Sequence, residues 1–138
     1  GNDTVNGGLG DDNIRGQDGF DTLNGGDGND RIQGDGGIDT IDGGAGNDII
    51  FGGDSNDRIT GGADADILNG NGGTDTFYFN AGDSLIGAED RINGFEAADR
   101  LWIDGHTFVG EAAFSGTGAF EVRYSSTAGD TVIELDRD

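Results

Sequence analysis

Apolar residues recur once in every nine positions along the first half of the chain, from residue 1 to residue 78. An amphipathic helix repeats its apolar residues every three or four positions, and a half-buried strand repeats them every second position. One large apolar side chain per unit instead predicts a short-period solenoid, in which each unit adds one inward-facing residue. These eighth-position residues are Val5, Ile14, Leu23, Ile32, Ile41, Ile50, Ile59, Leu68 and Phe77.

The polar positions of the unit are as regular as the apolar one, and Gly43 to Phe51, GGAGNDIIF, is the clearest copy. Glycine at the first and fourth positions, and often at the second, predicts positive φ angles and two tight turns before a short strand such as Asp48 to Ile50. The first-position glycines are Gly7, Gly16, Gly25, Gly34, Gly43, Gly52, Gly61 and Gly70, and the fourth-position glycines include Gly10, Gly19, Gly28, Gly37 and Gly46. The sixth position is always aspartate: Asp3, Asp12, Asp21, Asp30, Asp39, Asp48, Asp57, Asp66 and Asp75.

This pattern, GGxGxDxUx with U a large apolar residue, resembles the RTX (repeat-in-toxin, hemolysin-type) calcium-binding nonapeptide. The resemblance covers residues 1–78 in consecutive copies that never lose phase. It implies an all-β fold, a parallel β-roll in which two units complete one coil and alternate units stack into two facing sheets. It also implies calcium ions between successive turns, bound by sixth-position carboxylates and by turn carbonyls.

Composition shows that such a coil needs a stabilising interaction other than disulfide bonds. The chain has 30 glycines and no cysteine, and one inward side chain per unit forms a core too thin to offset the ordering of the repeats. Its 28 acidic residues against seven arginines give a net charge of −21, which would repel nucleic acid and anionic membranes and attract cations. We therefore expect no nucleic-acid partner and no membrane insertion.

Stacking the units would bring sixth-position aspartates to about 5 Å from one another, where like charges repel by roughly 1–3 kcal/mol. A divalent cation between neighbours would turn this repulsion into attraction. Carboxylate and carbonyl oxygens, without thiols and with one histidine, favour calcium over zinc or copper. Magnesium is the weaker candidate because it requires strict octahedral geometry and releases water reluctantly.

Carrying the family arrangement onto this sequence pairs each aspartate with the one two units further on and gives at most seven ion sites. Ser55 and Asp64 replace fourth-position glycines, so we expect the sites at these turns to be the weakest, although Asp64 could add a carboxylate of its own. The pairs are Asp3 with Asp21, Asp12 with Asp30, Asp21 with Asp39, Asp30 with Asp48, Asp39 with Asp57, Asp48 with Asp66, and Asp57 with Asp75.

The seventh and ninth positions would point outward on the two faces of the roll. One face is a polar ladder that includes Thr22, Thr40 and Asn24, and it could bind a repetitive ligand such as a polysaccharide, although solvated strand residues explain it as well. On the other face Ile49, Phe51 and Ile67 would form an exposed apolar patch. We expect the C-terminal segment or a second protomer to cover this patch.

Composition changes after residue 78, and residues 79–138 are predicted to form a separate C-terminal capping β segment. Strands are expected at 76–80, 90–95, 100–103, 120–125 and 131–135, the last two as a hairpin, with a helical turn at 110–114. The runs DTFYFN and EDRINGFEAADRLWID resemble the segment that follows the repeats in serralysin-type secreted proteins. Asp90, Glu96 and Asp99 could hold another ion, but solvated surface carboxylates are the favoured interpretation.

No enzymatic site is predicted. His106 is the single histidine, placed in a predicted loop, and the chain has neither HExxH nor GxSxG. The favoured function is a calcium-binding module of a secreted bacterial protein, exported through a type I system and folded by calcium outside the cell. The alternative is a calcium-dependent carbohydrate- or surface-binding module of the adhesin or epimerase type. We expect the chain to be a fragment of a longer protein, with any secretion signal beyond residue 138.

Overall fold

The computed structural model describes residues 1–80, 83 and 90–103, together with the backbone of residues 106–109, 120–127 and 130–137. These parts contain strands and no helix. The strands are β1 (Thr4–Leu9), β2 (Asn13–Asp18), β3 (Thr22–Asp27), β4 (Arg31–Gly36), β5 (Thr40–Ala45), β6 (Ile49–Asp54), β7 (Arg58–Ala63), β8 (Ile67–Gly72), β9 (Thr76–Phe79), β10 (Asp90–Asn93), β11 (Arg100–Ile103), β12 (His106–Val109), β13 (Phe120–Thr127) and β14 (Asp130–Arg137).

The strands form two sheets that divide the odd from the even repeats. The first sheet has the order β1-β3-β5-β7-β9-β11-β12, and the second has the order β2-β4-β6-β8-β10-β13-β14. Within the repeats every pairing is parallel and joins equivalent positions two units apart, as in Leu23 with Ile41 and Ile32 with Ile50. The predicted all-β parallel roll, with two units per coil, is confirmed.

The eighth-position side chains meet between the two sheets and form the core. Ile32, Ile41, Ile50, Ile59 and Leu68 are completely buried. Val5, in the first strand, is only partly buried against the same cluster. The core of the repeats is therefore two narrow rows of apolar side chains, one from each unit, as the nine-residue period predicts.

The repeat strands extend over six positions of the unit, so the prediction of a strand of three positions is wrong. Pairing continues beyond the ninth position into the first part of the next turn, where Gly8 pairs with Gly26 and Leu9 with Asp27. Stacked turns have the same shape, and their backbone groups can therefore hydrogen-bond from one coil to the next.

Positive φ angles occur at the second and fourth positions of the unit. The prediction that first-position glycines also need positive φ is wrong, because none of them adopts it. Ser55 and Asp64 take the fourth-position conformation with φ values of 85° and 80°. Their turns thus keep the glycine-like backbone shape despite carrying side chains.

The roll continues past residue 78 for one more strand in each sheet. β10 pairs in parallel with β8, and β11 pairs in parallel with β9, now across a longer connection, as in Ile92 with Leu68 and Leu101 with Phe77. β13 and β14 form the predicted hairpin, which joins the edge of β10 in antiparallel pairing. The division of the chain at residue 78 remains a prediction, and the expected turn at 110–114 lies outside the described residues.

Two expectations for the C-terminal segment are wrong. Asp90 and Asp99 are 0% and 2% exposed and are not solvated surface groups, whereas Glu96 is exposed. His106 begins β12, which pairs with β11, and does not lie in a loop. In the described part of the chain no helix is long and apolar enough to cross a membrane.

The outer apolar patch is only partly open. Ile49 and Phe51 are half-buried, Ile67 is 39% exposed, and the Arg31 guanidinium lies 4.7 Å from the centre of the Phe51 ring. The C-terminal hairpin extends the second sheet at its edge. Cover by that segment or by a second protomer remains a prediction.

Candidate metal centre

Two columns of buried aspartates run along the two edges of the roll. The first edge consists of the turns at 7–12, 25–30, 43–48 and 61–66, and the second edge consists of the turns at 16–21, 34–39, 52–57 and 70–75. Asp21, Asp30, Asp39, Asp48, Asp57, Asp66 and Asp75 are all at most 2% exposed. Burial of ionisable carboxylates without a cationic partner is unfavourable, so these columns require an explanation.

One oxygen of each carboxylate is used by the protein itself. The backbone N–H of Asp30 donates to Oδ1 of Asp48 at 2.7 Å, and the N–H of Asp48 donates to Oδ1 of Asp66 at 2.8 Å. The same bond joins every predicted pair, with distances of 2.7–2.9 Å. The structure thus brings together all seven aspartate pairs, and each hydrogen bond fixes the orientation of one carboxylate.

The other oxygen, Oδ2, is buried and accepts no hydrogen bond in eight of the nine sixth-position aspartates. An unsatisfied buried acceptor costs about 1–3 kcal/mol, and more if it is charged. Eight repeats of the same defect indicate a group that the polypeptide does not supply. The eight residues are Asp12, Asp21, Asp30, Asp39, Asp48, Asp57, Asp66 and Asp75.

First-position glycines leave space beside these oxygens. A Cβ atom on Gly7 would lie 2.5 Å from Oδ2 of Asp12 and 2.5 Å from the carbonyl oxygen of Gly25 in the next coil. On Gly16 it would lie 2.5 Å from Oδ2 of Asp21 and 2.9 Å from the Gly34 carbonyl. A carboxylate and a carbonyl oxygen therefore converge on a space that any other residue would fill.

We call this arrangement a cradle, and six units have both oxygens among the atoms nearest the glycine. For Gly61 and Gly70 the three nearest atoms all belong to the aspartate of the same turn. The six cradles are Gly7–Asp12–Gly25, Gly16–Asp21–Gly34, Gly25–Asp30–Gly43, Gly34–Asp39–Gly52, Gly43–Asp48–Gly61 and Gly52–Asp57–Gly70.

The donor set suits a hard cation. No group of three or more His, Cys, Asp or Glu side chains is placed to share an ion within the described residues, so backbone carbonyls must complete any site. Oxygen-only coordination of this kind is typical of calcium. The residues present thus fit calcium, the ion that the repeat pattern predicts. A bound calcium ion would neutralise the carboxylates and be coordinated by their unpartnered oxygens.

The columns include two residues that the sequence analysis misjudged. The N–H groups of Asp66 and Asp75 donate at 2.9 Å to Oδ1 of Asp90 and Asp99. The signal was present, because Asp90-Arg91-Ile92 and Asp99-Arg100-Leu101 repeat the sixth to eighth positions of the unit. The longer spacing from the preceding aspartate of each column concealed it.

Asp99 ends the second column without needing an ion. Its Oδ1 accepts from Asp75 N–H, and its Oδ2 accepts from Glu96 N–H at 2.8 Å. A short turn also joins the N–H of Asp99 to the Glu96 carbonyl at 3.1 Å. Here a backbone donor takes the place that a cation would fill elsewhere in the column.

Burial raises the pKa of several carboxylates in the columns. Desolvation is the main cause for Asp57, whose pKa rises to about 7, and the charges of Asp75 and Asp39 add to it. Burial likewise raises the pKa of Asp48 to about 6, and raises the pKa of Asp66, which also lies near the charge of Asp90. Hydrogen bonds from backbone N–H groups oppose these shifts. Without a cation, therefore, some carboxylates of the two aspartate columns are protonated at mildly acid pH.

Comparison with known proteins agrees with this geometry. A family model described as RTX calcium-binding nonapeptide repeat (4 copies) matches residues 1–23, 24–58 and 51–86. A search of curated proteins gives no match. The matched segments include both aspartate columns up to Asp75 and end before β10.

Replacing Gly43 with alanine should close one cradle. Because the new Cβ would meet both Oδ2 of Asp48 and the Gly61 carbonyl, we expect the calcium concentration at half-folding to rise on the order of tenfold. Circular dichroism during calcium titration measures this change. Gly72→Ala is the matched control, since its Cβ would have no neighbour nearer than 3.8 Å, and we expect a shift below about twofold. Equal shifts in both variants would contradict the cradle assignment.

Stability without calcium should fall as pH rises. The folded-state pKa values of Asp48 and Asp57, about 6 and about 7, exceed the unfolded value of 3.8, so ionisation above the unfolded value opposes folding. In chelator we therefore expect β-sheet circular dichroism at about pH 5 to be lost by about pH 8, and calcium to preserve it at both. Asp57→Asn should weaken the pH dependence. A calcium-free fold that gains β structure with rising pH would refute this account.

Proposed function

Because the chain belongs to the RTX calcium-binding nonapeptide repeat family, we propose that its roll is a structural calcium-binding module whose folding depends on the ion. The observation that carries the proposal is the set of eight buried Oδ2 atoms without hydrogen-bond partners. At neutral pH, a module whose stacked coils contain this many unsatisfied carboxylate oxygens favours the folded state only when a cation binds to them.

We assign six ions to the roll, one for each cradle. This is one fewer than the seven aspartate pairs allow, because Asp3 of the pair Asp3–Asp21 is exposed and lies in no cradle. Ser55 and Asp64 do not remove sites from this count, since their turns keep the positive φ of the glycine turns. The ligands we propose are the sixth-position carboxylates and the carbonyls of the turn glycines.

Three parts of the chain have different roles at each proposed ion site. The backbone N–H of one aspartate holds Oδ1 of the next and aims Oδ2 at the cradle, as Asp30 does for Asp48. The first-position glycine keeps the cradle open, and the aliphatic core next to it excludes water from the buried side. The ion, when bound, cancels the repulsion between neighbouring carboxylates.

Such a module fits a protein that is exported unfolded and folds outside the cell. Extracellular calcium modules bind calcium at about 10⁻⁴–10⁻³ M. The carboxylates of the two aspartate columns would therefore lack calcium in a calcium-poor cytoplasm and bind it outside the cell. We propose export by a type I system, supported by the family membership and by the serralysin-like runs after residue 78. We propose no catalytic role for this chain, and any enzymatic activity would belong to another domain.

A second candidate, binding of a carbohydrate or another repetitive surface, is favoured by one observation. On the outer face of the first sheet Tyr78 and Trp102 form a tilted pair with ring centres 5.5 Å apart, and the Arg58 guanidinium lies 4.6 Å from the centre of Tyr78. Aromatic rings with an apolar face and a polar tip, next to a Thr and Asn ladder, suit sugar rings.

Calcium should convert the chain from disordered to β-rich. We expect circular dichroism to show a cooperative gain of β structure with a midpoint of about 10⁻⁴–10⁻³ M calcium, and little gain with magnesium at the same concentration. Isothermal titration calorimetry on the same protein counts the ions, for which we expect about six. A compact β-rich chain in excess chelator at neutral pH would refute calcium-dependent folding.

Glycan binding separates the two functions. If the outer ladder is a binding face, the double substitution of Thr22 and Thr40 by alanine should reduce calcium-dependent retention on a polysaccharide resin by about tenfold while leaving the calcium-induced fold intact. Tyr78→Ala tests the aromatic pair in the same assay. Equal retention of the wild type and both variants, or no retention of any, would leave only the structural module.

A further inference from the structure

The two edges of the roll are built from the same unit but differ at the second position. On the first edge this position is glycine in every turn: Gly8, Gly26, Gly44 and Gly62. On the second edge it is Gln17, Asp35, Gly53 and Asn71, and the three side-chain-bearing residues have φ values of 68–73°. An L-residue in this region costs about 1 kcal/mol or more. These three side chains distinguish the second edge from the first edge, where the same position carries none.

These side chains border a groove along the second edge, with a volume of about 610 Å³. Gly36 and Gly53 leave the groove open between Asp18, Asp35 and Asp54, and Gln17 and Asn71 lie at its two ends. Arg15 is paired with Asp35, with Nη2 3.3 Å from Oδ1. Three carboxylates against one arginine make the groove acidic. It crosses four strands, about 14 Å, which is the length of about four extended residues.

Beside this groove the second edge exposes two large apolar residues. Phe20 is 62% exposed and Ile38 is 48% exposed, at the fifth position of adjacent turns and two residues after Asp18 and Gly36. In five other turns the fifth-position residue is an Asn or Asp that accepts the next coil's N–H, as Asn29 does from Asn47 at 2.9 Å. Phe20 and Ile38 cannot accept this hydrogen bond, so their positions sacrifice a stabilising contact to present apolar surface.

From these features we propose that the second edge is a docking surface for an extended basic segment of a partner protein. Lysine or arginine side chains of the partner occupy the groove between Asp18, Asp35 and Asp54. Its apolar side chains pack on Phe20 and Ile38. Charge complementarity selects this occupant: a second copy of this chain carries a net charge of −21, which stays negative after six calcium ions bind, and would be repelled, as would an anionic polymer. None of the residues that line the groove belongs to a cradle, although three cradles lie on the same edge.

A labelled eight-residue peptide of alternating lysine and leucine serves as the probe, with binding to the calcium-saturated chain followed by fluorescence anisotropy. The double substitution of Phe20 and Ile38 by asparagine leaves the net charge unchanged. It gives both positions the residue type that accepts the hydrogen bond in other turns, so the variant should fold. We expect it to weaken binding by about tenfold. Asp18→Asn with Asp54→Asn should weaken binding by a similar factor. A peptide of alternating lysine and serine should bind the wild type about tenfold more weakly than the lysine–leucine peptide.

Matched controls lie on the first edge. Leu9→Asn removes an apolar side chain that is 84% exposed, and Asp27→Asn removes a third-position carboxylate like that of Asp18. Both should change the affinity by less than about twofold. Loss of binding in these controls equal to that in the second-edge variants would reduce the effect to general attraction by an acidic chain and overturn the proposal. A wild-type chain that sediments as a dimer, with Phe20→Asn and Ile38→Asn restoring the monomer, would overturn it in favour of self-association.

Discussion

The structure depends on the contact between one aspartate and the next along each edge of the roll. Each sixth-position carboxylate from Asp21 to Asp75 accepts, through Oδ1, the backbone N–H of the aspartate two units earlier, which aligns successive coils. The same contact brings buried negative charges close together and leaves Oδ2 without a donor. The same side chain aligns the coils and adds a buried negative charge. The geometry of the coil is therefore well defined, but its buried charges are not neutralised by the protein. A bound cation would neutralise these charges.

Glycine has two separate roles in this design. At the second and fourth positions the backbone turns through positive φ, and other residues can occupy those positions at some cost, as Ser55 and Asp64 do. At the first position φ is ordinary, but a side chain would enter the space between a carboxylate and the carbonyl of the next coil. The eight units that start within the chain all have glycine there, whereas the turn positions vary. Space beside the carboxylate is therefore the stricter requirement.

The end of the second aspartate column shows how a backbone N–H group can take the place of a cation. At Asp99 the N–H of Glu96 bonds to the oxygen that remains unpartnered in the units before it. A similar short turn brings the N–H of Asn80 to Oδ2 of Asp83 at 2.6 Å. These hydrogen-bonded carboxylates lie where the regular repeat stops, so the unpartnered carboxylate oxygens are concentrated in the regular coils.

The nine-residue period by itself predicted a solenoid with one core residue per unit, because a strict period places equivalent residues above one another. The resemblance to the RTX repeat added the two-unit coil and the pairing of the aspartates. The sequence did not determine the strand lengths or the role of the first-position glycines, since both depend on contacts between coils. It also concealed Asp90 and Asp99, because their longer spacing breaks the period while the parallel register is kept. Only the tertiary structure decided which carboxylate oxygens remain unpartnered and that Asp18, Asp35 and Asp54 line one groove. Such properties arise between residues that are distant along the chain and adjacent in space.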